Sequence, residues 1–329
     1  MAESSDNNEE KELVETQALS VFLTDGTAPV SRALTRRLVE AGHRVTAMTD
    51  GHEGAVLVRE DGGLPVFVDP TRAGEVRGMM QMSEAQVVIN TAPQHANQPP
   101  FAAPDYDIDL IEAVTQAVIT AAVEAGISHF VHTSFALLYG DTGGTMADEA
   151  SPLSDNDDAL IQAGKSAEAI VKAGGLPYCI VRAGFVYSAD SAVLQATDAA
   201  VKALRPVHTG EARHLAAWIT ASDLADLLLR VTIDKPSGET FNGVDDVPAA
   251  PKSFVEHLIS AQGVQPASPF SSLLRALLPN RSSTRLGFST QVSNGKAKQA
   301  LGWRPQFADY RAGIEDILMT WRASFRTEA

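Results

Sequence analysis

Several kinds of residue are scarce in this chain of 329 residues, and each scarcity excludes a class of protein. Cys179 is the only cysteine, so no internal disulfide can form, and this composition is typical of the reducing cytoplasm. No apolar run approaches the roughly 18 residues of a membrane span. Only 26 residues are basic against 41 acidic ones, and the net charge of −15 argues against nucleic acid or an anionic membrane as partner.

The amino-terminal stretch, residues 1–17, lacks the apolar segment of a secretory signal. It holds six acidic residues against Lys11 and has little to bury, so we expect a disordered, solvated tail. The rest of the chain is long enough to bury a sizeable core.

Residues 19–50 predict a strand, a turn, a helix and a second strand. Val21–Leu23 is a short apolar run of the kind that forms a buried parallel strand. Pro29 suits the first turn of a helix, and Gly42 can take the positive φ that ends one. Residues 44–48 then start the second strand. This order is typical of an α/β fold of the dinucleotide-binding type, a Rossmann-like doubly wound parallel sheet.

The same pattern continues along the chain and predicts its organisation. Asp223 is expected to cap a helix over 224–231. We expect residues 18–183 to form the Rossmann-like domain. Residues 184–329 should form a smaller lobe with segments that return to the main sheet. The further predicted strands are 64–68, 87–90, 130–134 and 178–182, and an Ala-rich helix over 107–125 ends at Gly126.

These motifs resemble those of the extended short-chain dehydrogenase/reductase family, the NAD-dependent epimerase/dehydratase group. The family turn has the form Thr-Gly-x-x-Gly-x-x-Gly; here Thr24 matches, but the glycine positions hold Asp25, Ala28 and Ser31. Residues 182–187 resemble the family's Arg-Pro-Gly-x-Val-Tyr segment, and 301–305 resemble its carboxyl-terminal Leu-Gly-Trp-x-Pro signature. The resemblance covers about residues 18 to 322.

The resemblance implies a dinucleotide site at the carboxyl ends of the strands. No basic residue stands beside Asp50 to meet a 2′-phosphate, so NAD is favoured over NADP. Asp69 matches a family residue near the adenine and equally well fits a strand-end cap for the next helix. Asp25 puts a carboxylate where the pyrophosphate is expected and Ser31 adds bulk, so we expect NAD binding to be weak or absent. The implied cofactor-binding residues are Thr24, Gly26, Thr27, Asp50, Asp69, Thr91, Ala92 and Lys165.

The resemblance also implies where the catalytic groups should stand. The family uses a Ser or Thr to hold the substrate oxygen and a Tyr, four residues before a Lys, as acid and base. Lys165 matches that Lys, but Ile161 occupies the Tyr position. The Ser position, four residues before Tyr139, holds Phe135. Ser134 is adjacent, but on a strand it points to the opposite face.

Two functions follow from this pattern, and whether the chain is an enzyme stays open. The replacement of the family's glycine, Ser and Tyr positions favours a non-catalytic binding, regulatory or assembly subunit with a degenerate site. The alternative is a working NAD(P)-dependent oxidoreductase or epimerase in which Ser134, Tyr139 or Tyr187 serves with Lys165. The acidic loop 141–158 should border this site as a solvated loop rather than a metal site. His95, a lone loop histidine, receives no role.

The family's dimer interface is built from two helices of each subunit. The matching segments here are 107–125 and 158–173, and both are rich in small apolar residues, such as Ala113, Ala117 and Ala163, that permit close approach of helices. We therefore expect a homodimer through this face.

Overall fold

The computed structural model describes residues 18–101, 107–205, 207, 209–263 and 287–327, so the tail 1–17 lies outside the described residues. Within that part, seven parallel strands form one sheet in the order β3-β2-β1-β4-β5-β6-β9. The strands are β1 (Ser20–Leu23), β2 (Arg44–Met48), β3 (Leu64–Val66), β4 (Val87–Asn90), β5 (His129–Phe135), β6 (Tyr178–Ala183), β7 (Phe185–Tyr187), β8 (Trp218–Thr220) and β9 (Glu239–Gly243).

Helices flank the sheet, and alternating strand residues explain why. Val21 and Leu23 lie in one buried cluster with residues of the helices 29–40 and 221–234. Phe22 lies in another cluster with residues of the helices 73–82, 109–125 and 159–173. Successive side chains of a strand point to opposite faces, so β1 is buried on both. The helices are α1 (Pro29–Glu40), α2 (Gly51–Glu60), α3 (Ala73–Met82), α4 (Asp109–Ala125), α5 (Ala159–Ala173), α6 (Ala192–Lys202), α7 (Ala221–Asp234), α8 (Pro251–Ala261), α9 (Gly295–Leu301) and α10 (Tyr310–Thr327).

The predicted Rossmann-like architecture is therefore confirmed. Pro29 opens α1, and Gly42 (φ 85°) and Gly126 (φ 73°) take the left-handed backbone that follows a helix. The third strand is shorter than predicted and ends at Val66, because its ladder partner β2 ends at Met48, opposite Val66.

The prediction that Asp223 caps a helix over 224–231 is wrong. The helix α7 begins at Ala221, and the hydroxyl of Thr220 caps it by accepting the Asp223 amide at 3.0 Å. The Asp223 carboxylate instead accepts hydrogen bonds from the backbone amides of Gln306 (2.7 Å) and Phe307 (3.2 Å). It thereby attaches the carboxyl-terminal segment to α7.

The strands β7 and β8 form a separate parallel pair beside an aromatic cluster. Trp218 stacks on Phe254 with ring centroids 4.5 Å apart, and Tyr187 meets the Phe254 ring edge-on. In the described ranges, no helix has the length and apolar character needed to cross a membrane.

Candidate functional site

The turn between β1 and α1 is built around the carboxylate of Asp25, which is buried. One of its oxygens accepts hydrogen bonds from the Thr27 amide (3.0 Å) and hydroxyl (2.8 Å). The other accepts from the Ala28 amide (2.9 Å) and the Ser31 hydroxyl (3.0 Å). Amides next to a helix amino terminus attract anions, and here the Thr27 and Ala28 amides, immediately before α1, bind an anion that the chain itself supplies.

His95 reaches the same carboxylate from the opposite side. It lies in the short 3₁₀ helix Ala92–Ala96 after β4, and its Nε2 is 3.1 Å from an Asp25 oxygen. Burial by itself raises the pKa of Asp25, but the hydrogen bond and charge of His95, with the Thr27 and Ala28 amides, outweigh it and lower the pKa to about 2. Burial opposes the charge on His95, yet its bond to Asp25 raises the pKa of the imidazole. The contact therefore favours the charged forms of both groups.

Gly26 serves the packing of α2 rather than the approach of a ligand. A Cβ on Gly26 would lie 2.5 Å from Val58 Cγ2 and 2.9 Å from Ala47 Cβ. Contacts this short force the neighbours to move, so only glycine fits between the turn, β2 and α2.

The other residues implied for the cofactor are partly tied into the scaffold. The Thr24 hydroxyl donates to the Asn90 side chain (2.8 Å) and accepts the Thr91 (3.0 Å) and Ala92 (3.2 Å) amides. The Thr91 hydroxyl donates to the Asp25 carbonyl at 3.1 Å. These bonds fasten the ends of β1 and β4 to each other and fix the position of Asp25.

The two carboxylates at the strand ends have different surroundings. Asp50 is exposed at the start of α2, where its side chain makes no capping bond. Asp69 accepts the amide (2.9 Å) and hydroxyl (2.6 Å) of Thr71. It closes a turn before α3, whose preceding residue is Arg72 rather than Asp69.

The surroundings of Lys165 are apolar where the resemblance implies a hydroxyl and a phenol. Ile161 and Phe135 are fully buried in one cluster with Leu138. A Cβ on Gly164 would lie 2.8 Å from Leu138 Cδ2 and 2.9 Å from Phe135 Cδ2, so these side chains pack tightly against α5. The Lys165 ammonium donates to the Ser154 carbonyl at 2.7 Å and lies 3.6 Å from the exposed Asp155 carboxylate.

Ser134 and Tyr139 belong to a buried polar network. The Ser134 hydroxyl donates to Glu168 (2.8 Å), and Arg182 binds both Glu168 oxygens at 2.8 and 2.7 Å. The Tyr139 hydroxyl accepts from Arg182 (2.9 Å) and donates to Asn242 (2.9 Å). Burial raises the pKa of Glu168, but the hydrogen bonds and charge of Arg182 prevail and lower it to about 2, whereas burial raises the pKa of Tyr139.

Tyr187 is also engaged away from Lys165. It is fully buried, and its hydroxyl donates to an Asp245 oxygen at 3.2 Å. Burial raises the pKa of Tyr187 well above its usual value. Hydrogen bonds therefore link Ser134 with Tyr139 through Arg182 and Glu168. Among the described residues, no hydrogen bond joins these side chains or Tyr187 to Lys165.

The loop after Tyr139 forms part of a strap over the edge of the sheet. Ala147 and Val292 form a parallel bridge, and the Thr142 amide donates to the Ser289 carbonyl at 2.8 Å. The half-buried Glu149 accepts the Asn242 amide at 2.8 Å. Part of this predicted solvated loop therefore closes the edge of β9. In the described residues, no group of acidic, histidine or cysteine side chains is arranged to hold a metal ion.

The family model for the NAD dependent epimerase/dehydratase family matches residues 21–242, two thirds of the chain. The chain belongs to this family. The match begins at β1 and ends within β9, so it spans the whole seven-stranded sheet of the epimerase/dehydratase fold.

Curated relatives of this family member carry reductase names. A 4-hydroxy-2-methyl-3-oxo-4-farnesyl-3,4-dihydroquinoline-1-oxide ketoreductase of Stigmatella aurantiaca is 25% identical over 312 residues, covering 87% of this chain and 92% of that protein. A 3-diazoavenalumate denitrifying reductase of a Streptomyces species is 23% identical, covering 90% and 99%.

Solved structures of similar fold include sugar-nucleotide epimerases. The UDP-glucose 4-epimerase of Thermotoga maritima, solved with UDP-glucose, has a TM-score of 0.74 at 16% identity, covering 93% of this chain and 99% of that one. The Thermus thermophilus UDP-glucose 4-epimerase, solved with NAD, has a TM-score of 0.72 at 18% identity, covering 90% and 96%. At these identities the likeness concerns the fold.

The residues of the turn, in this arrangement, do not fit a dinucleotide's pyrophosphate. The Thr27 and Ala28 amides and the Ser31 hydroxyl already donate hydrogen bonds to Asp25. A second anion there would meet a charged carboxylate.

Sequence reasoning missed His95 and Glu168. His95 is one of several polar residues in a loop, and nothing local indicates that this loop folds back on Asp25. The sequence does contain a signal for Glu168, which stands three residues after Lys165 on the same helix. An acidic side chain on the buried face of a helix needs an ionic or hydrogen-bonding partner.

Proposed function

We propose that this epimerase/dehydratase family member does not carry out proton transfer at Lys165 and acts as a non-catalytic binding, regulatory or assembly subunit. The observation that carries the proposal is the buried packing of Ile161 and Phe135 at the acid–base and substrate-holding positions. Neither side chain can donate or accept a proton. General acid–base catalysis is worth on the order of 10²- to 10⁴-fold, so its loss removes most of the family's rate advantage.

The engagement of the remaining candidates supports the same proposal. Ser134 donates to Glu168, Tyr139 to Asn242, and Tyr187 to Asp245, and all three side chains are buried. A general acid must come within hydrogen-bond reach of the substrate. Each of these hydroxyls would first have to leave a buried partner, which costs free energy because that partner stays unsatisfied.

NAD binding that is weak or absent is part of the proposal. It is supported by the Asp25 carboxylate in the turn and by its contact with His95. The free thiol of Cys179, buried in β6, supports a reducing compartment such as the cytoplasm as the site of action.

The test is an activity screen of the wild type and Lys165→Ala with NAD(H), NADP(H) and a panel of sugars, alcohols and ketones. Lys252→Ala, a lysine in the first turn of α8 that ion-pairs with Glu256, is the matched control. We expect no turnover above background from any of the three. Turnover that disappears in Lys165→Ala alone would refute the proposal.

The second candidate is a working reductase with displaced catalytic groups, and the reductase names of the two curated relatives favour it. Turnover that persists in Lys165→Ala would support this candidate. Phe substitutions at Tyr139 and Tyr187 would then identify the acting hydroxyl.

We also propose a homodimer through α4 and α5, the helices that match the predicted segments 107–125 and 158–173. Small side chains leave a surface groove between them, lined by Ala113, Gln116, Ala159, Gln162, Ala163 and Ser166. Such residues let helices approach closely. Sedimentation at micromolar concentration should give a dimer, and Ala163→Arg should give a monomer, whereas Met319→Arg, exposed on α10, should not.

A further inference from the structure

The Asp25 carboxylate has the surroundings of a bound anion. Four donors of the turn and of the first turn of α1 converge on its two oxygens at 2.8 to 3.0 Å. Two of these donors are the Thr27 and Ala28 amides, which immediately precede α1 and lie next to the amino end where the partial positive charge of the helix is concentrated. The carboxylate therefore satisfies donors that a bound phosphate group would otherwise satisfy.

Two further contacts hold the carboxylate in this place. The imidazole Nε2 of His95 lies 3.1 Å from an Asp25 oxygen. The Thr91 hydroxyl donates to the Asp25 carbonyl, so the backbone of the residue is fixed to the end of β4. The carboxylate is thus enclosed by α1 on one side and by the segment after β4 on the other.

We propose that Asp25 is a built-in substitute for the pyrophosphate of the family's dinucleotide. The carboxylate occupies the anion position at the start of α1, and the turn is complete without a cofactor. The proposal deepens the weak or absent NAD binding of the proposed function and rests on it. It adds that the anion position is filled, rather than lost.

A filled position can be emptied, and this makes the proposal testable. In Asp25→Ala the Thr27 and Ala28 amides and the Ser31 hydroxyl keep their places but lose the acceptor that Asp25 supplies. The variant should unfold at a lower temperature than the wild type, because buried donors without partners are costly. Inorganic pyrophosphate should bind in the vacated position and restore stability.

The experiment measures thermal unfolding of wild type and Asp25→Ala in sodium pyrophosphate, against sodium chloride of equal ionic strength. A pyrophosphate concentration 100-fold above its Kd should lower the unfolding constant of the variant about 100-fold. The wild type should not respond. Asp148→Ala is the matched control, since Asp148 also accepts a backbone amide (3.1 Å) and a hydroxyl (2.9 Å) but is exposed in a loop. It should not respond either.

An equal response of wild type and Asp25→Ala overturns the proposal, and so does an Asp25→Ala protein that is as stable as wild type and unresponsive. If Asp25→Ala does not fold, Asp25→Asn removes the charge and keeps the shape. The pKa of His95, followed by NMR, should then fall relative to the wild type; an unchanged value overturns the proposal. Turnover lost in Lys165→Ala refutes the proposed function without affecting these readouts, so the two proposals fail separately.

Discussion

At the scale of single residues, the turn after β1 illustrates how one substitution reassigns a structural position. In the family motif the first glycine makes the tight turn and places no side chain beside the pyrophosphate. Here Asp25 places its own carboxylate at this position. Ser31, which the sequence predicts to crowd the pyrophosphate, donates a hydrogen bond to that carboxylate at 3.0 Å. Repulsion of the pyrophosphate was expected from the carboxylate's charge. The sequence did not indicate that the helix amides would be used by the same carboxylate.

Restoring the three glycines should raise NAD affinity. In Asp25→Gly/Ala28→Gly/Ser31→Gly the amides at the start of α1 become free and the like charge disappears, so we expect an increase of about tenfold or more, worth ~1.4 kcal/mol. Calorimetry with NAD measures it. Asp234→Gly, at the exposed end of α7, is the control that should leave affinity unchanged. Wild-type protein with a micromolar Kd would contradict the expectation, because the turn would then hold both anions.

At the scale of elements, strands and helix ends could be predicted from local chemistry, whereas side-chain partners could not. Apolar runs such as Val21–Leu23, Pro29 at the start of α1, and Gly42 after its end depend on nearest neighbours in the chain. The partners of Asp223 lie more than eighty residues away, in the segment before α10. An aspartate at this position fits a helix cap and a long-range hydrogen-bond acceptor equally well. The sequence pattern predicts the cap, whereas the structure has the long-range acceptor.

The glycine inside α5 makes the packing of that helix measurable. Gly164→Ala places a methyl group against Leu138 and Phe135, and overpacking of this kind costs about 1–3 kcal/mol. Gly78→Ala, inside α3, meets nothing within 4 Å and should stabilise by up to ~1 kcal/mol through helix propensity. Urea unfolding of the pair gives both values. A stabilising Gly164→Ala would mean that the apolar filling beside Lys165 is loose.

At the scale of the whole molecule, two buried acids bond to distant parts of the chain. Asp223 accepts the Gln306 and Phe307 amides. Asp245, just after β9, accepts the Tyr187 hydroxyl on one oxygen, and its other, buried oxygen has no hydrogen-bond partner among the described residues. The surroundings therefore favour the charged form at Asp223 more than at Asp245.

Stability should fall as pH rises because of Asp245. Burial, then the charge of Asp223, raises the pKa of Asp245 well above 3.8; Tyr187, Asp246 and Asp309 also face it. The folded state holds a proton that the unfolded state releases above 3.8, so the unfolding constant should grow by up to about tenfold per pH unit from there to the folded pKa.

The measurement is urea unfolding of wild type and Asp245→Asn over this pH range, and the slope should be smaller in the variant. Asp246→Asn is the control, because the charged form of Asp246 changes stability with pH in the opposite direction. Hydrogen bonds from Asn294 and Lys298 outweigh burial and lower the pKa of Asp246, so its contribution is lost only as pH falls. Equal slopes in wild type and Asp245→Asn would contradict the assignment of the proton.

The completed turn at Asp25 has a consequence for the life of the protein in a cell. A dehydrogenase that draws stability from bound nucleotide becomes more open to degradation when nucleotide is scarce, by mass action. A chain that supplies its own anion has no such dependence. If Asp25 is that anion, the abundance of this protein should not depend on the supply of nicotinamide.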